Sequence, residues 1–339
     1  MRTSKQSRNI YLRTRPAKPK LFLSKRSSTI GEIAMKTAVC VLGAGRMGSS
    51  ITRTFLSHGY ETWVWNRTPA KCEPLASQGA QIAPSVADGI QAADVVIINV
   101  LDYTASATLL KHDSATSVLP GKTVVQLTSG SPRLARGEAA WVEAHGAFYL
   151  DGAIMATPDF IGKPEAALLY SGPRKVFEAH RSLLSALGGG TTYVGDVPGQ
   201  ASALDTALLT QMWGGLFGAL QGMAVAEAEN LHLETFRNQF TAFKPVVDAA
   251  LYDLIDRTRA QRFSGDETTL ASLGAHYSAF QHLLESCDEQ GLDASLPQAM
   301  DRFFRQGLSQ GGPESDLAAL APLFRKGHTV APPAELANV

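Results

Sequence analysis

The chain has 339 residues, enough for two ordinary domains, and its 45% hydrophobic content supplies a core for each. Its formal net charge of zero hides an asymmetry: residues 1–34 hold nine basic side chains against Glu32 alone, so the remainder carries 22 basic and 30 acidic residues, a net charge of −8. That acidic body argues against nucleic acid as the main partner. Three cysteines (Cys40, Cys72 and Cys287) without a CxxC or a His/Cys cluster argue against a disulfide framework or a bound metal, and suit a reducing cytoplasm.

Residues 1–34 are Arg- and Ser-rich, which fits a transit peptide, but Pro16 and Pro19 interrupt a long amphipathic helix there. The preferred reading is a disordered extension, or an upstream start codon with Met35 as the true one, so that deleting residues 1–34 leaves folding and activity intact. From Lys36 onward, short β-branched runs alternate with helical stretches. Strands are expected at Thr37–Leu42, Glu61–Trp65, Asp94–Val100, Thr123–Leu127, Phe148–Asp151, Ala166–Tyr170 and Thr191–Val194, with helices at about Arg46–His58 and Arg174–Ala186. Continuous apolar strands alternating with helices imply a parallel, doubly wound α/β sheet covered on both faces. After Pro198 the pattern turns all-helical, with helices expected over Gly199–Leu231, Glu234–Arg257, Thr268–Gln290 and Asp293–Gln306. The expected organisation is an extension (1–34), a Rossmann domain (35–197), a helical domain (198–325) and a tail (326–339).

The first strand runs into Gly43-Ala44-Gly45-Arg46-Met47-Gly48, a GxGxxG element that opens a helix. Its first glycine permits a tight turn, the second lets backbone approach a pyrophosphate, and the third lets helix and sheet pack closely. The second strand ends in Trp65-Asn66-Arg67-Thr68, with Lys71 one turn later. Asn66 removes the carboxylate that would repel a ribose 2′-phosphate, while Arg67 and Lys71 can neutralise one, so NADPH is favoured over NADH.

Between Asp196 and Glu227 the only charged residue is Asp205, in a helix that is apolar or small nearly all round. A carboxylate there either finds a structural partner or serves chemistry, and the sequence leaves both open. The helix is too apolar to be covered by three short helices of one chain, which implies a homodimer, yet Asp205, Gln211 and Gln221 break it as a membrane span. His276, Tyr277 and His282 are further pocket candidates from the third helix of this region.

These motifs, with Gln126-Leu-Thr-Ser-Gly-Ser-Pro132, Tyr149-Leu-Asp-Gly-Ala-Ile-Met-Ala156 and Gly199-Gln-Ala-Ser-Ala-Leu-Asp205, make residues 36–325 resemble the imine reductases and reductive aminases of the β-hydroxyacid dehydrogenase superfamily, whose NADP-binding domain is 6-phosphogluconate dehydrogenase-like. The resemblance implies NADPH in the Rossmann domain, with Val100, Leu101 and Thr128 near its ribose and nicotinamide. It implies a dimer interlocked by the helix from Gly199, with Asp205 near the imine nitrogen and Ser129 and Trp213 in the substrate pocket. The superfamily's hydroxyacid dehydrogenases use a lysine early in this helix, whereas no lysine lies between Lys175 and Lys244. The expected activity is therefore NADPH-dependent reduction of C=N bonds, of a small-molecule imine or of a ketone plus an amine. The alternatives are an NADP-dependent 3-hydroxyacid dehydrogenase-type carbonyl reductase and a non-catalytic NADPH sensor.

Overall fold

Strand β1 (Val39–Leu42) is buried on both faces: Val39 and Val41 pack with Ile51 and Phe55, while Cys40 and Leu42 pack with Ile90 and Ala93. The same division continues through the neighbouring strands, with Val95, Ile97 and Val125 on one side and Val96, Ile98 and Val124 on the other. This two-sided burial is why the strands read as continuous apolar runs rather than as alternations. The computed structural model describes residues 37–325, so the expected extension at 1–34 and the tail at 326–339 lie outside the described residues.

The chain divides after Gln200 into two units. The first holds a single eight-stranded sheet whose further members are β2 (Thr62–Trp65), β3 (Gln81–Ile82), β4 (Val95–Ile98), β5 (Thr123–Gln126), β6 (Phe148–Met155), β7 (Ala167–Ser171) and β8 (Gly190–Gly195). Their order is β3-β2-β1-β4-β5-β6-β7-β8, and every neighbouring pair is parallel except β6–β7. The direction of winding reverses between β1 and β4, the place where an open α/β sheet leaves a crevice at its carboxyl edge. Helices α1 (Arg46–Ser57), α2 (Glu73–Ala76), α3 (Val86–Ala92), α4 (Tyr103–Leu110), α5 (Asp113–Thr116), α6 (Pro132–Ala144) and α7 (Arg174–Ser185) belong to this unit.

Two features differ from the expectation of a wholly parallel sheet. Strand β6 runs on to Met155, and β7 returns antiparallel beside it, because the connection between them contains no helix to carry a parallel crossover. Strand β3 is only two residues long, too short to leave a pattern.

The second unit consists of α8 (Gln200–Ala228), α9 (Leu233–Ala260), α10 (Leu273–Glu289) and α11 (Ser295–Gly311), with a 3₁₀ stretch over Leu317–Phe324 that no sequence pattern signals. Helix α10 starts later than expected. The Asp266 carboxylate accepts from Thr268 N (2.9 Å) and holds that segment in a turn, and Ser272 then caps the helix by accepting from Ala275 N (3.2 Å). Among the described residues no helix is long and apolar enough to cross a membrane.

The largest fully buried side chain of the described residues is not apolar but Arg257, near the end of α9. Its Nε lies 2.9 Å from Asp253 and 3.2 Å from Asp316, and its terminal nitrogens reach Asp266 (3.3 Å) and Thr268 (2.8 Å). One guanidinium thereby ties the α9 terminus to the loop before α10 and to the start of the 3₁₀ stretch. Hydrogen bonds from Arg262, Thr268 and Arg257 hold the Asp266 carboxyl far below the usual carboxylate range. Removing the cation would leave three carboxylates facing one another. Arg257→Met is accordingly expected to lower Tm by roughly 5 °C or more in calorimetry, and an unchanged Tm would show that the cluster holds nothing together.

Candidate nucleotide site

The turn after β1 is built so that only glycine fits at its ends. Gly43 has φ +117°, and a Cβ there would collide with the Asn99 carbonyl at the end of β4; a Cβ on Gly48 would collide with the Gly43 carbonyl. Gly45 differs, because a Cβ built on it meets no heavy atom within 4 Å. The backbone between is therefore bare toward open space, and Gly45 caps α1 without a side chain on the first-turn N–H groups. Such a helix end, with uncovered N–H groups and no side chain in the way, accepts a pyrophosphate. Ala44 is fixed from the neighbouring strand: its N–H donates to Asn66 Oδ1 (3.1 Å), and Asn66 Nδ2 donates to the Thr68 carbonyl (3.0 Å). Asn66 does more than lack a charge, since it clamps the glycine turn to the β2 end.

A cleft of about 560 Å³ opens at this carboxyl edge, lined by Gly43, Gly45, Arg46, Met47, Asn66, Arg67, Lys71, Val100 and Leu101 from the expected set. Trp65, Asn99, Ala105, Thr108 and Leu109 also line it, and the sequence motifs do not single them out as cofactor contacts. Trp65 and Asn99 could have been found as the last residues at the β2 and β4 ends flanking the switch point. Arg67 and Lys71 are exposed at one end of the cleft, and neither joins an ion pair among the described residues. Two uncommitted cations beside a neutral amide favour a dianionic phosphate there. The cleft thus fits a phosphorylated dinucleotide on its own geometry.

At the other end, Leu101 stands 90% exposed at the lip. The segment before it is tied sideways to β5: Asn99 Nδ2 donates to the Leu127 carbonyl (3.0 Å) and Val100 N donates to Thr128 Oγ1 (3.1 Å). Thr128 is itself buried, so it stands behind the wall rather than in it. Ser129, the next residue, is exposed. Behind Thr128 lies Glu138, whose carboxyl is pushed upward by burial against hydrogen bonds from Gln126, Ser106 and Tyr149. Cys40, beneath α3, is likewise pushed up to about 12 by burial, which leaves its thiol inert.

In the second unit, Asp205 is 8% exposed while Trp213, two turns along the same helix, is 53% exposed. Tyr277 donates to Asp301 (3.1 Å) and packs on Phe304, and His282 lies on the surface beside Glu285 (3.3 Å); both have structural engagements. Asp151, at the β6 centre, is fully buried and accepts from Ser171 Oγ (3.2 Å) and Gly199 N (3.0 Å). Gly199 has φ +93°, a conformation open to glycine, and this carboxylate holds the turn that leads into α8.

Residues 38–195 match the family described as the NAD binding domain of 6-phosphogluconate dehydrogenase, and residues 197–326 match the NADPH-dependent reductive aminase-like C-terminal domain. The chain is 35% identical over 298 residues to the NADPH-dependent reductive aminase of Aspergillus oryzae, covering 87% of this chain and all of that relative. Among solved structures, the imine reductase from Myxococcus stipitatus in complex with NADP+ is 49% identical, with a TM-score of 0.81 over 85% of this chain and 100% of that one. The reductive aminase from Aspergillus terreus in complex with NADPH4, cyclohexanone and allyl amine is 32% identical, with a TM-score of 0.75 over 86% and 100% of the two chains.

The charge argument at the β2 end has a direct test. Arg67→Ala removes one charge-assisted contact to a 2′-phosphate, so the KM for NADPH should rise about tenfold while NADH kinetics stay nearly unchanged. Equal loss with both cofactors in steady-state assays would show that Arg67 does not read the phosphate.

Proposed function

The chain belongs to the family of NADPH-dependent reductive aminases and imine reductases, and on that premise we propose how its own residues work. It is an NADPH-dependent oxidoreductase that reduces C=N bonds, and NADPH, when bound, supplies the hydride. The glycine turn Gly43–Gly48 and the α1 N-terminus hold the pyrophosphate; Asn66, Arg67, Thr68 and Lys71 hold the 2′-phosphate end; Val100, Leu101 and Thr128 shape the opposite end. Residues 35–197 form the cofactor domain and 198–325 the helical domain of substrate binding and dimerisation. The substrate is an imine, or a ketone together with an amine, with Ser129 and Trp213 in its pocket. Three free, buried cysteines suit a protein of the reducing cytoplasm.

One observation carries the chemical reading. Helix α8 is inside out: Leu208, Met212, Trp213, Leu216, Phe217 and Leu220 are 44–59% exposed, whereas its single carboxylate before Glu227, Asp205, is buried. A helix does not expose a row of large apolar side chains unless something covers them. The cover is a second copy of the chain. The use of Asp205 is at the substrate nitrogen, where a carboxylate stabilises an iminium cation or, protonated, donates to the nitrogen. No lysine between Lys175 and Lys244 is available to handle a hydroxyl proton, and Asp205 would repel the carboxylate of a hydroxyacid.

Light scattering should give a particle of about twice the 36.2 kDa chain mass, and a stable monomer at micromolar concentration would sink the dimer. Asp205→Asn keeps size and hydrogen bonding but removes the charge and the ionisable proton, so kcat for reduction of a cyclic imine should fall roughly 100-fold. Asp205→Leu should fold at least as well as the wild type, because an apolar group in place of a buried charge is often neutral or stabilising. Wild-type turnover in either variant, followed at 340 nm beside Tm on the same preparation, would remove Asp205 from the mechanism.

A further inference from the structure

Gln126 ends β5, and its side chain is fully buried and does not line the cleft. Its amide nitrogen donates to Ser106 Oγ (2.8 Å) and to Glu138 Oε2 (2.5 Å), and its carbonyl oxygen accepts from Thr128 N (2.9 Å). Glu138, on the buried face of α6, also accepts from Ser106 Oγ (2.6 Å) and from the Tyr149 hydroxyl (3.3 Å). Thr128 Oγ1 then accepts from Val100 N, and Val100 lines the cleft. A continuous line of hydrogen bonds runs from a buried carboxylate to the cleft wall.

The line has a polarity. Glu138 accepts from all three of its neighbours, so the end of the Gln126 amide that faces it must be the NH₂ end, and the end that faces Thr128 N must be the carbonyl. A flipped amide would set NH₂ against N–H at Thr128 and carbonyl against carboxylate at Glu138, two repulsive contacts in a dry site. Ser106 and Tyr149 can rotate their hydroxyls to suit a changed partner, but the amide has no such freedom. We propose that Glu138 is a positioning residue for the dinucleotide cleft, its carboxylate orienting the Gln126 amide, which fixes Thr128 and through it the Val100 wall. The proposal rests on the reading of that cleft as the NADPH site.

The test measures the Kd for NADPH by quenching of tryptophan fluorescence, with Trp65 in the cleft wall as the local reporter, and measures Tm in parallel. Glu138→Met removes the acceptor that holds the NH₂ end of the Gln126 amide, and Kd should rise about tenfold at temperatures where the protein is folded. Gln126→Met, which has neither end of the amide, should give the same loss. The exchanged pair Gln126→Glu with Glu138→Gln restores the polarity, since the carboxylate now on β5 would accept both from Thr128 N and from the amide now on α6. Its Kd should return to within about threefold of the wild type. Ser106→Ala removes one donor to Glu138 and one of the two acceptors of the Gln126 NH₂ but leaves the Gln126–Glu138 contact that sets the amide, and should alter Kd by less than about threefold even where Tm falls. A cluster that only holds the fold together predicts lower Tm and unchanged Kd in all of these. Wild-type Kd in folded Glu138→Met or Gln126→Met, or an exchanged pair as weak as those single variants, would overturn the proposal. A wild type that fails to bind NADPH would overturn the cofactor reading and this proposal with it, whereas tight wild-type binding with unaffected variants overturns the proposal alone.

Discussion

The carbonyl of Asn99 occupies the space where a side chain on Gly43 would be, and the first unit is organised around that contact. It draws the ends of β1 and β4 together at the point where the sheet reverses its winding. Each strand end is then fastened to the next: Asn66 at the β2 end to Ala44, Asn99 at the β4 end to Leu127, and Val100 to Thr128 beyond β5. The carboxyl edge of a parallel sheet is where loops depart and where backbone groups lose their ladder partners. Here side chains take over those groups, so the edge keeps a fixed outline without any regular structure of its own. A fixed outline is what lets the Gly45 backbone stand bare to a phosphate without the turn collapsing into the gap.

The second unit solves a different problem. Its helices leave Leu216, Phe217, Phe243 and Val246 more than half exposed, so its apolar surface is available for association rather than for a core. Beside Leu273, Cys287 and Ala318, the unit buries the cation of Arg257, which three aspartates engage. An ion cluster is a poor source of net stability but a demanding one geometrically, because each partner is costly to misplace. It fixes where the end of α9, the loop before α10 and the start of the 3₁₀ stretch meet.

Much of the first unit was legible in the sequence because its signals are local. Glycines at 43, 45 and 48, the apolar runs and the Asn66-Arg67…Lys71 spacing each follow from what a single turn or strand end needs. The antiparallel return of β7 was not legible, since Ala167–Ser171 has the same apolar character whichever way it runs. Thr128 was expected against the cofactor by resemblance, yet it stands one layer back and acts on Val100. Gln126 and Glu138 carry no signal of their joint role because each reads as an isolated polar residue in its own element. Only the packing of α6 and α4 on the sheet brings Glu138 and Ser106 to the same amide. Asp205 was visible as a lone charge, but that its helix exposes the apolar residues and buries the charge is a tertiary fact.

That inversion bears on the reaction class more strongly than the fold does. One dinucleotide-binding sheet serves many hydride transfers, and the polarity of the group opposite the reacting atom decides which substrate charge is tolerated. A lysine early in α8 would favour an oxyanion developing on a carbonyl oxygen. In the role proposed for it at the substrate nitrogen, Asp205, in a helix whose sequence contains no lysine or arginine, would favour instead a substrate that is positive before hydride arrives and neutral after, which describes an iminium and not a ketone. The same proposed placement would disfavour hydroxyacid substrates, because two carboxylates in one poorly hydrated pocket repel strongly. On that proposal selectivity for C=N over C=O needs no contact with the carbon skeleton of the substrate, and the remainder of the pocket would be left to choose among amines by shape.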